Sequence, residues 1–189
     1  MSDDLTGEWP LARRSALPAA FTWLREAFPR SRWDEASVPG SATHWLQMHA
    51  GFRQASRHME KVAEAYRSGS IDLRDFHGRL LPTLSGFLQH LDGHHRIETT
   101  HYFPQFRAIE PRIAPGIDLL DRDHYAVHAQ LERLAECGNA LHRTVRAGNI
   151  NAVDDAARMA DALDTAASPL LRHLDDEEDI VIPLMALRG

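Results

Sequence analysis

Two stretches of this chain place a carboxylate four residues after a histidine: His94-His95-Arg96-Ile97-Glu98 and His173-Leu174-Asp175-Asp176-Glu177. In each, a proline (Pro104, Pro183) lies ten residues after the leading histidine. Helical residues four apart project from one face, about 6 Å apart along the axis, so each pair can present an imidazole nitrogen and a carboxylate oxygen to one ion. Three further histidines stand in similar company: His49 in Trp45-Leu46-Gln47-Met48-His49, and His124 and His128 in Asp123-His124-Tyr125-Ala126-Val127-His128. Five neutral imidazoles and two carboxylates suffice for two divalent ions, each close to six-coordinate if the carboxylates and a solvent oxygen bridge them. A single tetrahedral zinc needs only four ligands. Carboxylate-bridged pairs in helical bundles carry iron or manganese.

Such a site needs helices to hold it, and apolar residues recurring at spacings of three and four supply them from Ser41 onward. The first spans about 41–67, with an inward stripe of Trp45, His49, Phe52, Met59, Ala63 and Tyr66, and ends at Ser68-Gly69-Ser70. The second spans about 72–103, with stripe Leu73, Phe76, Leu80, Leu84, Phe87, Leu91, His94 and Glu98; Pro82 is expected to kink or split it. Residues 107–116 read as a connection. The third helix spans about 117–147, with stripe Ile117, Leu120, His124, His128, Leu131, Leu134, Leu141 and Val145, and Gly148-Asn149 stops it. The fourth spans about 151–186, with stripe Leu163, Ala166, Leu170, His173, Glu177, Ile180 and Leu184; Pro169 should free one backbone carbonyl near His173. Strand signals are absent. The fold expected is all-α: an up-down-up-down four-helix bundle over 41–189, preceded by an arm over 1–40. Four prolines punctuate the arm, a short helix is plausible near Pro18–Phe28, and Trp9, Phe21, Trp23, Phe28 and Trp33 are read as anchors that brace it against the bundle. The halves match: His49 and His94 are 45 residues apart, His124 and His173 49.

The seven polar residues occupy stripe positions that neighbouring turns fill with Leu, Phe or Trp. A buried histidine or carboxylate is costly unless it is paired, hydrogen-bonded or metal-bound. One such histidine reads as a satisfied core residue, but five with two glutamates at matching heights on four helices strain that reading. Metal coordination satisfies them together. A ferritin-like set, Glu-x-x-His on two helices, fits Glu98-Thr99-Thr100-His101 but not Glu177-Glu178-Asp179-Ile180. His44 reads as a cap or surface residue, and His90 and His101 as neighbours that hydrogen-bond the ligands. His95 points elsewhere than His94, and His58, His77 and His142 lie on the surface or in distant core. Cys137 faces away from the ligands. Asp121 and Asp123 read as solvated, and Asp175, Asp176, Glu178 and Asp179 as a polar helix face in which Glu178 competes with Glu177. Phe52, Phe87, Leu91, Ile97, Val127, Leu131, Leu170 and Leu174 flank the ligand layers and would wall a dry pocket.

Bulk properties exclude other classes. The chain has 189 residues, 43% apolar and 25% charged, which fits one soluble globular domain. A net charge of −6 without a basic stripe argues against nucleic acid as partner. No apolar run approaches a membrane span, and Met1-Ser2-Asp3-Asp4-Leu5-Thr6-Gly7-Glu8 does not resemble a signal peptide. A lone cysteine, Cys137, fits a reducing cytoplasm. The 12 histidines are the anomaly that needs a function.

These residues resemble the hemerythrins and hemerythrin-like HHE cation-binding domains. That pattern is one His on the first helix, His-x3-Glu on the second, His-x3-His on the third and a His followed by a carboxylate on the fourth. It falls here on His49; His94 and Glu98; His124 and His128; His173 and Glu177, and the resemblance covers about 41–183. His101-Tyr102-Phe103-Pro104 and Val181-Ile182-Pro183 are similar to the family's endings after its ligand pairs. Hemerythrins proper place the last carboxylate five residues after the histidine, which would select Glu178. Helix geometry and the internal repeat favour Glu177, since five residues turn a side chain ~140° away.

The resemblance implies two non-haem iron ions, ahead of manganese or zinc, bridged by carboxylates, with one five-coordinate iron open to dioxygen. The function expected is binding of dioxygen or a similar small diatomic as carrier, store or sensor, since few anionic ligands stabilise high-valent iron poorly. Alternatives are a di-iron redox enzyme acting on peroxide, nitric oxide or ferrous iron, and an iron- or redox-responsive interaction module. A non-enzymatic role is the main expectation.

Overall fold

A computed structural model of the chain describes residues 9–34 and 38–188. The stretch read above for a signal peptide lies outside the described residues. Its α-helices are α1 (Trp23–Ala27), α2 (Gly40–Arg67), α3 (Leu73–Ile97), α4 (Phe103–Ile109), α5 (Ala114–Arg146) and α6 (Ala152–Arg188). Three-residue 3-10 turns lie at Leu11–Arg13, Ala19–Phe21, Arg30–Arg32 and Pro111–Ile113, and a π turn at Glu98–Tyr102 joins α3 to α4. No strand occurs among the described residues, so the molecule is all-helical as the periodicity predicts. Nor, among them, is any helix long and apolar enough to cross a membrane.

Helix ends follow local chemistry. Gly69 and Gly148 adopt φ of 71° and 61°, the left-handed geometry that closes a helix C-terminus at little steric cost. Around them, Gly69 N–H donates to the Tyr66 carbonyl and Ser70 N–H to that of Ala65; Gly148 and Asn149 repeat the pattern on Val145 and Thr144. Asp72 caps α3 by accepting from the Asp75 amide at 2.8 Å. Pro82 does not split α3, which continues through it with Leu80 and Leu84 buried on either side. Packing outweighs the one backbone bond that proline forfeits. The expected connection at 107–116 is nearly all helical: α4 ends at Ile109, and α5 starts at Ala114, three residues before the start read from periodicity. Pro115 is tolerated there because first-turn amides have no intrahelical acceptor.

The contacts divide the chain into two compact units, each drawing a segment from α2, α3, α5 and α6. The first comprises the described residues of Met1–Ala50, His95–Ala126 and Pro169–Gly189; the second is Gly51–His94 with Val127–Ser168. In the first, Leu17, Phe21 and Leu24 of the arm share one core with Trp45, Phe103, Phe106, Ile117, Leu120, Ile180 and Leu184. The arm is thus built into that core. Gly116 permits this close packing: a Cβ there would stand 3.1 Å from Ile180 Cδ1 and 3.7 Å from the Phe21 ring.

The second unit buries Met59, Phe76, Leu80, Leu84, Leu91, Leu134, Leu141 and Met159. Phe76 is fully buried and stacks on Tyr66 with ring centroids 4.6 Å apart. Replacing it with alanine removes about 3–5 kcal/mol of stability, through lost transfer energy and the cavity left behind. Urea unfolding of F76A checks this; a loss below 1 kcal/mol would show that the neighbours collapse into the space.

Candidate metal centre

The π turn sets the geometry of the second ligand pair. Phe103 N–H donates to the Glu98 carbonyl, a closure over five residues. Pro104, one residue on, has no N–H to continue a four-residue ladder, and the Thr100 hydroxyl takes the Arg96 carbonyl at 2.7 Å. Single π turns of this kind recur at functional sites. Here it starts at the glutamate whose carboxylate lies in the centre.

Two groups of ligand-type side chains gather. In the first, His95, His124 and His173 are buried, with ligand atoms within 4.8 Å of one another. The His95 ring stacks on His124 at 4.1 Å and meets His173 edge-on at 5.1 Å. Phe103 stacks on the His124 ring at 5.3 Å. His124 Nδ1 lies 3.0 Å from the Thr99 hydroxyl, which donates to Asp121 Oδ1 at 2.7 Å. With that hydroxyl committed as donor, Nδ1 carries the hydrogen and Nε2 is the nitrogen that could ligate an ion. That Nε2 stands 3.4 Å from Glu98 Oε2.

In the second group, the ligand atoms of His49, His94, Glu98 and Glu177 also lie within 4.8 Å of one another, all four residues buried. His94 enters it from the turn of α3 that leads directly into Glu98. His49 Nδ1 is 3.1 Å from Glu178 Oε1, and Nε2, the nitrogen that could ligate an ion, is 3.5 Å from Glu177 Oε1. Trp45 donates its indole N–H to Glu177 Oε1 at 2.7 Å. The other oxygen of Glu177 lies 3.3 Å from Nε2 of His173 in the first group. Glu177 therefore turns one oxygen toward each group. Of the two glutamates left open by the sequence, Glu177 stands among the ligand atoms and Glu178 behind His49.

The electrostatics fit bound cations. Burial first, then the neighbouring Glu177, pushes the Glu98 carboxyl well above its usual range. Burial would depress the His173 imidazolium, but Asp123 and Glu177 more than offset it and raise it to about 9. The His173 ring nitrogens meet carboxylate oxygens at 3.7 and 3.3 Å, with no hydrogen bond to either nitrogen. A divalent ion would replace the proton that these carboxylates demand and give a buried nitrogen its partner. The donor set fits two such ions.

A second layer departs from expectation. Asp123, Asp176, Glu178 and Asp179 are buried, not solvated. Arg14 reaches Asp176 at 2.7 Å and pairs with Asp123. Arg30 holds Asp179 at 2.7 Å and Glu178 at 3.4 Å, and Arg25 holds Asp179 at 2.8 Å. An unpaired acidic run on a helix predicts a solvated face; here the arm supplies its cations.

Of the seven residues singled out in the sequence, six fall in the two groups. The seventh, His128, is 39% exposed at its side chain, with Nδ1 3.5 Å from Asp92, and belongs to neither. His95, which the sequence reading turned away, takes part. The signal was present, since His95 is three residues before Glu98 and residues three apart also share a helix face. His90 and His101 are exposed rather than packed behind the ligands, and His101 Nε2 meets Gln105 Nε2 at 3.1 Å. Ile97, read as pocket wall, is 52% exposed.

Residues 40–185 match a family model described as the hemerythrin HHE cation binding domain. No curated protein and no solved structure gives a match.

Proposed function

The chain belongs to the hemerythrin HHE cation-binding family, and from that premise we propose that it is a non-haem di-iron protein that binds dioxygen or a similar small diatomic. The observation that carries this reading is Glu177, whose two oxygens lie 3.5 Å from a His49 nitrogen and 3.3 Å from a His173 nitrogen, one in each group. A carboxylate so placed suits a bridge between two ions. In this reading His49 and His94 hold one ion, His95, His124 and His173 the other, and Glu98 and Glu177 serve both. Bound iron would supply an open coordination position and one-electron chemistry.

The residues of the chain do the rest. Trp45 orients Glu177 by donating its indole N–H to Oε1. Thr99 and Glu178 fix the tautomers of His124 and His49, so that Nε2 of each is the donor atom. Buried Phe103, stacked on the His124 ring, keeps bulk water from that imidazole. Five neutral imidazoles against two carboxylates make a site of low anionic charge, which favours reversible binding over hard oxidation.

The test is optical. Protein loaded with ferrous iron and reduced without oxygen is exposed to O₂ and then purged. A charge-transfer band that appears and reverses, at two irons per chain, is the expected outcome. A band that appears once and persists would replace this reading with redox chemistry. Failure to load iron would remove it.

A further inference from the structure

We propose that the N-terminal arm is a positioning element of the metal centre, acting through two carboxylates that sit behind ligand histidines. The inference rests on the di-iron reading above but concerns residues outside the ligand set. Arg14 donates to Asp176 at 2.7 Å and 3.3 Å to Asp123 Oδ1, with a second, shorter contact to Asp123. Asp123 Oδ2 in turn faces Nδ1 of His173 at 3.7 Å. On the other side, Arg30 reaches Glu178, whose second oxygen lies 3.1 Å from Nδ1 of His49. Each chain of contacts runs from an arm guanidinium through a carboxylate to the back of an imidazole that the di-iron reading makes a ligand.

Burial makes the Arg14 arm of this device costly to assemble by accident. The Arg14 side chain is 1% exposed and those of its two aspartates 4% and 0%. Its Nη1 also donates to the Trp9 carbonyl at 2.9 Å, so the arm backbone folds around its own cation. Arg172 closes the far side, pairing with Asp176 at 2.6 Å and donating to the Ser15 carbonyl at 3.0 Å. A planar fork that satisfies two carboxylates at once fixes both in place. A carboxylate behind a ligating imidazole raises its basicity and fixes its ring; its own cation partner moderates that pull.

The geometry therefore assigns opposite electronic effects to two substitutions. Arg14→Met leaves Asp123 with its full charge against His173, which stabilises ferric iron and lowers the reduction potential. Asp123→Asn removes that charge and raises the potential. Both loosen ferrous iron about 10- to 100-fold, as losses behind a ligand do. The experiment measures ferrous affinity and midpoint potential on the full chain, for wild type, Arg14→Met, Asp123→Asn and Arg67→Met, a surface ion-pair control in the other unit. Shifts of opposite sign in the first two variants, with the control at wild-type values, support the proposal. Equal affinities and potentials in all four, or shifts of one sign that track stability, overturn it while leaving the di-iron reading intact. Wild type that binds no iron removes both. If Arg14→Met does not fold, Asp123→Asn decides alone, and an unchanged or lowered potential overturns the proposal.

Discussion

His95→Ala is expected to cost the protein one of the two metal ions proposed for it, while His128→Ala is expected to leave both. His95 is 1% exposed, stacked on His124 and edge-on to His173, so its removal leaves that group with two imidazoles. Losing a direct ligand should exceed the 10- to 100-fold loss typical of a residue behind one. His128 stands part-exposed beside Asp92, where its ring can be removed at little cost. Iron per chain after desalting, read with the optical band, separates the two variants. If His128→Ala loses iron and His95→Ala keeps it, the family's third-helix pair is the true ligand pattern. The reason to expect otherwise is helical. His94 and His95 are adjacent and so point about 100° apart, yet both share a side with Glu98, one at four residues and the other at three.

Glu98→Gln should abolish tight iron binding and make the metal-free protein more stable near neutrality, so that the order of stability inverts between the two forms. Without metal, the Glu98 carboxyl sits above its usual range, driven by burial and by Glu177. A carboxyl raised on folding contributes its full stability below the unfolded value of about 4.3, and that contribution is lost as pH rises through the folded value. His173, raised to about 9, acts in the same direction: its contribution is complete below about 6.5 and lost on approaching pH 9. The metal-free wild type should therefore weaken steadily from mild acid to pH 9, and its iron affinity should rise over the same window as protons leave. Glutamine carries no proton to lose, so the variant shows a shallower slope. Loaded wild type gains about 2.7–4.1 kcal/mol when free iron stands at 100 to 1,000 times its dissociation constant, and the variant forgoes most of this. Thermal melts at several pH values, with and without iron, decide the matter. A metal-free variant less stable than wild type at pH 8 would mean that Glu98 holds the fold together rather than the ion.

The helices and most of the centre are legible in the chain itself, because both depend on short-range periodicity. Apolar residues at spacings of three and four mark α2, α3, α5 and α6, and glycines at 69 and 148 mark two of their ends. A histidine and glutamate four apart on an apolar stripe must point inward together, which brings His49, His94, Glu98, His124, His173 and Glu177 to light. What periodicity cannot express is which side of a wide stripe meets which neighbour. His95 lies one position off the stripe and His128 lies on it, yet the first is buried and the second part-exposed. That exchange depends on how far each helix is rotated at that height, a property of packing and not of any one segment.

The acidic run of α6 makes the same point from the other direction. Asp176, Glu178 and Asp179 read as a solvated face because Arg172 is the one cation near them in the sequence, too few for the run. Their partners Arg14, Arg25 and Arg30 are about 150 residues away. By itself, then, the sequence determined an all-helical chain with a histidine-rich, two-carboxylate candidate metal centre, since local spacing dictates which residues share a face. Only the tertiary structure brings His95 beside His124 and His173 and sets the arm's arginines behind the candidate ligands, because contacts distant in sequence leave no periodic trace and form only when buried charges must find a partner.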